Sequence, residues 1–398
     1  MAETIHLPIG PQHPFLKEPA KFDFDIQGEE IVGARMNIGY NHRGLEKLCE
    51  ERNYYQCLYI LERICGICSH SHTTAFCQAT EKLLGLEIPK RGLYLRTLVC
   101  ELERLHSHLL WLGVAAHEVG FDSLFMLVWR DRELVMDALE AISGNRVNYA
   151  FNTIGGVRRD LSEEQRTKLL EMLKPLIERT GFYANIGTNE PSFLARIRGV
   201  GKLPKQRAID MCTVGPFARA SGVDRDARRD VPHAAYPYLD FKVITNEECD
   251  IYGRVLVRVL EILESCKMVK QMLETLPEGE FVAPKVMRRV PAGAAVSYYE
   301  APRGEDIHYV RGNGTEKPER VKVRAPTMAN LEAACESVVG SFVADIPIAI
   351  ASIDPCFSCT DRTSVVLNDR RRGRRVTTWG ELRTYGIDWY RRNRGIHF

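Results

Sequence analysis

The segment Arg63-Ile-Cys-Gly-Ile-Cys-Ser-His-Ser-His72 decides how this chain must fold. Its Cys65/Cys68 pair has a single counterpart, Cys356/Cys359 in Asp354-Pro-Cys-Phe-Ser-Cys-Thr-Asp-Arg362. Within each pair the three-residue step puts both sulfurs on one face of a turn or helix start, which makes a two-toothed clamp. Four thiols build one soft-metal site only if the fold brings residue 65 beside residue 359. Thiolates select soft or borderline ions, so zinc, iron–sulfur clusters and nickel are candidates, and magnesium and calcium are not. Zinc ribbons usually space their pairs about 15–20 residues apart. Here almost the whole chain intervenes, and from spacing alone a structural zinc site stays open.

The rest of the chain bounds the setting. Its 398 residues suffice for one large domain or two medium ones, and 45% hydrophobic with 27% charged residues is ordinary for a globular protein. The start, Met-Ala-Glu-Thr-Ile-His6, lacks a basic head followed by an apolar stretch, and no apolar run reaches membrane-spanning length. A peripheral location at the cytoplasmic face of a membrane is compatible with this. Cys49, Cys57, Cys77, Cys100, Cys212, Cys249, Cys266 and Cys335 stand alone and read as free thiols packed as small hydrophobes in a reducing compartment. The net charge of +2 hides an asymmetry: residues 363–398 carry nine Arg and three acidic residues, which leaves −4 for residues 1–362. The run Arg370-Arg-Arg-Gly-Arg-Arg375 raises the question of nucleic acid. The body has no nucleic-acid motif, and aromatic interleaving occurs only in the tail (Trp379, Tyr385, Trp389, Tyr390), so no nucleic-acid partner is expected.

The first forty residues read as short strands, Thr4–Pro8, Lys21–Asp25 and Ile31–Asn37, separated by turns. Beyond them the period becomes helical. In Arg91–Leu112, Leu95, Leu98, Leu102, Leu105 and Leu109 recur every three or four residues, with Glu101, Glu103 and Arg104 on other faces. Further helices are expected over Leu124–Ser143, Ser162–Thr180 (capped through Asp160-Leu-Ser-Glu-Glu164), Asn246–Leu276 and Thr327–Gly340. A β-leaning insert runs from about 283 to 324. Strands and helices do not alternate, and no dinucleotide or phosphate-loop fingerprint occurs, which argues against a parallel α/β sheet. The expected fold is α+β, predominantly α: a long-helix bundle with β decorations at the N-terminus and around 283–324, its metal site joining both ends of the chain. Residues 1–40 form the β segment, 41–362 the catalytic body and 363–398 a basic extension.

With these neighbours, Arg-Ile-Cys-Gly-Ile-Cys-Ser-His-Ser-His72 resembles the N-terminal metal motif of nickel–iron hydrogenase large subunits, and Asp354-Pro-Cys-Phe-Ser-Cys359 resembles their C-terminal one. The likeness continues through Gly39-Tyr-Asn-His-Arg-Gly-Leu-Glu46, Glu101-Leu-Glu-Arg-Leu-His-Ser-His-Leu-Leu110, Gly215-Pro-Phe-Ala-Arg-Ala-Ser-Gly222, Glu300-Ala-Pro-Arg-Gly-Glu305 and Arg324-Ala-Pro-Thr327, and covers nearly the whole chain. Gly10-Pro-Gln-His-Pro14 and the Cys359-Thr-Asp-Arg362 ending resemble the membrane-bound, energy-converting group: Ech-type, CO-linked and formate-hydrogenlyase enzymes, related to the quinone-site subunit of complex I.

The resemblance implies roles for matching positions. Cys65, Cys68, Cys356 and Cys359 would bind nickel, with Cys68 and Cys359 bridging to an iron that carries CO and CN ligands. Glu46 would relay the proton that Cys356 receives. Arg303 would hold a fixed cation above the metals, and His72 would hydrogen bond a bridging sulfur. His70, His106 and His108 are left for packing or proton conduction. No cysteine motif remains for a cluster, so iron–sulfur clusters would lie on partner subunits. The implied partners are an iron–sulfur small subunit, other complex-I-like hydrophilic subunits, integral membrane subunits, an electron source (ferredoxin, formate dehydrogenase or CO dehydrogenase) and a maturation endopeptidase that cuts after Arg362. Arg362 stands where many relatives have a His that ligates a distal ion, so no such ion is assigned. Three other readings remain: a complex-I-like quinone-binding subunit, a sulfur-compound reductase and a zinc-stabilised structural subunit. The intact thiol quartet counts against the first two.

Overall fold

A computed structural model of the chain describes residues 3–361, 367–369, 373–375 and 379–396. It divides into two compact units, Met1–Asp361 and Arg362–Phe398. Arg362 and the sequence around it lie outside the described residues.

The larger unit opens with an antiparallel sheet in the order β1 (Thr4–Ile9), β2 (Lys21–Gln27) and β3 (Glu30–Asn37). Phe22, Phe24 and Ile26 of β2 alternate toward the main core. Short helices α1 (Leu45–Glu50) and α2 (Tyr54–Glu62) lead to α3 (Ser69–Leu84). Asn53 and Gln56 close a reciprocal capping box on α2, and Gly85 ends α3 in the left-handed conformation.

Four long helices stand where the sequence places them: α4 (Lys90–Glu118), α5 (Asp122–Ser143), α6 (Glu163–Asn189) and α11 (Ile251–Glu274), with α4 and α6 extending past their expected ends and α11 starting later. Ser162 caps α6 with Gln165 completing the box, and Asp250 caps α11. α4 packs on α5, α5 on α6, α6 on α11 and α11 on α4, closing a four-helix ring. Glu101, Glu103 and Arg104 lie off the leucine stripe of α4 yet are fully buried, since α4 is also covered by α3, by β5 (Gly156–Val157) and by α13 (Ile346–Ala351). Their charges are offset internally: Glu101 lies 3.4 Å from Arg104 and 3.5 Å from Arg228, and accepts from Tyr236 (2.6 Å) and Ser265 (2.6 Å).

Between α5 and α6 lies a minimal hairpin, β4 (Asn152–Thr153) and β5 (Gly156–Val157). From α6 to α11 run the short helices α7 (Pro191–Ile197), α8 (Lys205–Asp210), α9 (Gly215–Arg219) and α10 (Ala227–Asp230). The β insert is a second antiparallel sheet, β6 (Gly293–Ala301), β7 (Gly304–Gly312) and β8 (Arg320–Arg324), which packs on α3. α12 (Pro326–Val338), α13 (Ile346–Ala351) and α14 (Phe357–Thr360) complete the unit. The smaller unit contains the hairpin β9 (Leu367–Asp369) and β10 (Gly373–Arg375) and the helix α15 (Trp379–Arg394). A separate apolar cluster, beside the main core, gathers α2, α3 and β8 around the four paired cysteines.

Candidate metal centre

Both cysteine pairs are turns that enter helices. Cys68 caps α3 and Cys356 caps α14, and neither makes a side-chain capping bond that would tie up its sulfur. The first-turn amides of α3 are served from α4 instead. His70 N–H donates to Glu103 Oε1 at 2.6 Å and Ser71 N–H to Oε2 at 3.0 Å, while the Ser71 hydroxyl also donates to Glu103. Burial pushes the Glu103 carboxyl up to about 8, against those hydrogen bonds. On the C-terminal side, Cys356 N–H donates to Thr327 Oγ1 at 3.0 Å at the head of α12.

The two clamps meet. The four sulfurs lie within 4.8 Å of one another, and all four residues are buried. Cys68 Sγ is 3.4 Å from Cys359 Sγ across 291 residues of sequence, and Cys356 Sγ is 2.8 Å from Cys359 Sγ. All twelve cysteines are free thiols. Of the eight outside the quartet, Cys49, Cys57, Cys77, Cys100 and Cys266 are buried as expected, Cys249 and Cys335 are half-buried and Cys212 is exposed. Hydrogen bonds from the other three thiols draw Cys65 well below the usual range, whereas Cys68 and Cys359 are driven above it. Four thiolates repel one another in a buried site, so without a cation the quartet concentrates its negative charge on one sulfur. An all-sulfur, buried, close-set donor group suits a soft or borderline metal, and nickel with iron fits it.

Arg303 sits at the turn between β6 and β7, 6% exposed. Its Nε donates to Asp354 O at 2.8 Å, Nη2 to Asp354 Oδ1 at 2.8 Å and Nη1 to Ser107 Oγ at 3.4 Å. Burial alone would lower its pKa. Asp354 and the thiols Cys356, Cys68 and Cys65 more than offset that and hold the guanidinium charged. Two close approaches fix this turn. Gly215 has φ +71°, and a Cβ there would meet Arg303 O at 2.4 Å and Gly304 Cα at 2.4 Å.

His72 reaches the quartet from α3. Nε2 lies 3.2 Å from Cys359 Sγ and 3.6 Å from Cys68 Sγ. On the other side of the ring, Nδ1 is 3.2 Å from Asp306 Oδ2 and 3.2 Å from His308 Nε2. Asp306 and His308 alternate on β7 and are fully buried. They continue the strand that Arg303 opens, a period-2 pattern that would have flagged them in the sequence.

The carboxylates divide. Glu46 is half-buried on α1, where Oε2 pairs with Lys322 Nζ at 2.7 Å and Oε1 accepts from Val323 N–H at 2.9 Å. Glu18, which the sequence reading passed over, accepts from Ser358 N–H at 3.0 Å, between Cys356 and Cys359. Burial and the nearby Cys65 anion raise its pKa, against hydrogen bonding from Ser358 and the charge of Arg303. Glu18 lies in a loop with three prolines and no periodicity, so no pattern in the sequence marks it. The remaining helical histidines are buried and held neutral by burial: His70 and His106 at about 3, His108 at about 4. His106 Nε2 is 3.0 Å from Tyr149 Oη, and His108 Nε2 is 2.8 Å from Glu261 Oε2.

Two family profiles match the chain. The profile described as respiratory-chain NADH dehydrogenase, 49 Kd subunit, covers residues 118–289 and 285–362, and that of nickel-dependent hydrogenase covers residues 43–115. The chain therefore belongs to the family of large subunits that joins membrane-bound nickel-dependent hydrogenases to the 49 Kd subunit of respiratory NADH dehydrogenase. It is 43% identical over 382 residues to the membrane-bound hydrogenase subunit alpha of Pyrococcus furiosus, covering 92% of this chain and 90% of the relative. It is 41% identical to the carbon monoxide-induced hydrogenase of Rhodospirillum rubrum, covering 90% and 99%. Among solved structures, the membrane-bound sulfane sulfur reductase, an archaeal respiratory membrane complex, has a matching chain. The TM-score is 0.86 at 31% identity, over 90% of this chain and 98% of that one. No helix among the described residues is long and apolar enough to cross a membrane.

Proposed function

We propose that this chain is the catalytic subunit of a membrane-bound nickel–iron hydrogenase that interconverts protons and electrons with dihydrogen, evolving hydrogen with electrons from ferredoxin. The observation that carries this reading is the buried quartet of free thiols, assembled from opposite ends of the chain within 4.8 Å. Cys65, Cys68, Cys356 and Cys359 would hold nickel, and Cys68 and Cys359 would share it with an iron bearing CO and CN ligands. Bound there, the nickel–iron group supplies a redox-active, Lewis-acidic pair suited to heterolytic cleavage of dihydrogen.

The chain's own residues supply the rest. Cys356 Sγ accepts the proton; without a metal its thiol sits at about 11, with Cys359 pulling it down and Cys65 and burial pushing it up. Arg303, pinned at two points by Asp354, keeps a positive charge within electrostatic reach of Cys356, Cys68 and Cys65. His72 steadies Cys359. The proton then needs a carboxylate. The family resemblance points to Glu46. The hydrogen bond from Ser358 N–H to Glu18 supports a second candidate, already seated on the thiol turn.

Apart from the quartet, no other group of cysteines among the described residues gathers into a metal site. This supports placing iron–sulfur clusters on a small subunit, with complex-I-like and integral membrane subunits anchoring the assembly at the cytoplasmic face. Formate dehydrogenase or CO dehydrogenase would be alternative electron sources. The division of the chain into units Met1–Asp361 and Arg362–Phe398, one residue from that position, supports cleavage after Arg362 by a maturation endopeptidase. Intact mass of the active protein tests this: a species that still includes Phe398 refutes cleavage.

Infrared spectroscopy of nickel-replete protein tests the central claim. Metal carbonyl and cyanide bands are expected, and their absence defeats it. The likeness to the sulfane sulfur reductase structure favours one second reading, reduction of a sulfur compound at the same thiols. Hydrogen evolution without sulfane reduction by the purified complex decides against that reading, and the reverse decides for it. Zinc in place of nickel would favour a structural site.

A further inference from the structure

Arg43 precedes α1 and touches the backbone on both sides of the thiol quartet. Its Nη1 donates to Arg63 O at 3.0 Å, and Nη2 donates to Ile64 O at 2.6 Å and to Ser358 O at 3.3 Å. Nε donates to Asn41 O at 3.2 Å, which folds the loop back on itself. Arg63 and Ile64 are the two residues before Cys65, and Ser358 lies between Cys356 and Cys359. One guanidinium therefore joins the two thiol-bearing turns, and its bond to Ser358 spans 315 residues of sequence. The same loop makes a second bond to the C-terminal turn: Asn41 N–H donates to Asp361 Oδ2 at 2.5 Å.

The chemistry suits Arg and no other side chain. Carbonyls at turn ends have no partner within a helix and present acceptors in several directions. A guanidinium is permanently charged and carries five donors in a rigid fork, so it can serve three carbonyls on two segments at once. A lysine ammonium is a compact point charge that cannot span them.

We propose that Arg43 is the clasp that holds the C-terminal thiol turn closed against the N-terminal one, and so keeps the metal centre shut. The proposal rests on the nickel-centre reading above for its metal readout only. Arg43 acts through the two turns: it is a positioning residue.

The test uses the whole purified complex, with Arg43→Ala and Arg43→Lys beside wild type. Amide hydrogen exchange is followed in peptides covering residues 354–361, and nickel loss is followed under excess chelator. Losing the charge-assisted bonds to Ser358 and to the 63–64 carbonyls is expected to speed exchange at 357–361 about tenfold or more in Arg43→Ala, with α4 and α11 unchanged. Nickel loss rises in parallel, and Arg43→Lys falls between the two. Unchanged exchange at 357–361, or an increase spread evenly over the chain, overturns the clasp whatever the metal content. Wild-type complex without nickel overturns the hydrogenase reading instead, and the exchange comparison still decides the clasp. If Arg43→Ala does not accumulate, Arg43→Lys and Arg43→Gln carry the same comparison.

Discussion

Cys356 holds two positions at once, as a metal ligand and as the sulfur nearest in sequence to the Asp354–Arg303 pair. Cys356→Ser keeps the size of the side chain and removes the thiolate. The expected result is loss of hydrogen evolution together with reduced nickel, measured by gas chromatography and elemental analysis. The proton outlet separates by a paired comparison. Glu18→Gln is expected to lower proton–dihydrogen isotope exchange by about a hundredfold or more with nickel retained, the range for removing a positioned acid–base group. If Glu46→Gln alone produces that loss, the outlet is at Glu46, and the Lys322 ion pair then has to open for the proton to pass. At this scale the sequence was clearest where residue type is itself diagnostic. The four cysteines, His72 and Arg303 all converge. Glu18 was silent because a carboxylate in a loop has no spacing that distinguishes it from a solvated one, whereas Asp306 was passed over although the alternation along β7 marks it.

At the scale of elements, the site depends on two contacts between segments. The first is the seat of α3 on Glu103. Glu103→Ala leaves the His70 and Ser71 amides without their acceptor, and buried donors left unsatisfied cost about 1–3 kcal/mol, which thermal or chemical unfolding would register. The second is the close pass of α9 under the β6–β7 turn. Gly215→Ala combines a left-handed backbone with a Cβ overlapping Arg303 O, so about 2–4 kcal/mol of destabilisation is expected, with the guanidinium shifted from Asp354 and activity lost beyond what stability explains. The existence and place of the long helices were legible from the sequence, but α4 and α6 run on past their expected ends and α11 starts later than expected. The burial of Glu101, Glu103 and Arg104 was not legible, because periodicity reports which face meets the first neighbour and is blind to a helix surrounded on every side.

For the molecule as a whole, burial of ionisable groups sets the response to acid. His70, His106 and His108 stay neutral down to about 3–4 when folded, whereas an unfolded chain protonates its histidines near about 6.5. The unfolded state therefore binds more protons, and stability falls as pH drops from about 6.5 toward 3. Asp226 and Glu261, drawn far down by buried arginines against the cost of burial, act in the same direction: their contribution is complete above the normal carboxylate range and is lost as pH falls through their folded values. Glu103, raised by burial to about 8, works against this between about 8 and 4.5, one group against three histidines; denaturant midpoints should still decline across the window, most steeply below about 4.5, and a flat profile would refute the buried neutral histidines. The convergence of Cys68 and Cys359 across 291 residues also has a temporal side. At a synthesis rate of about 5–20 residues per second, the first thiol pair leaves the ribosome roughly 15–60 s before the second. During that interval the chain offers a soft ion only one of the two clamps, two of the four sulfurs. The complete four-sulfur site therefore cannot exist until the C-terminal clamp has been made.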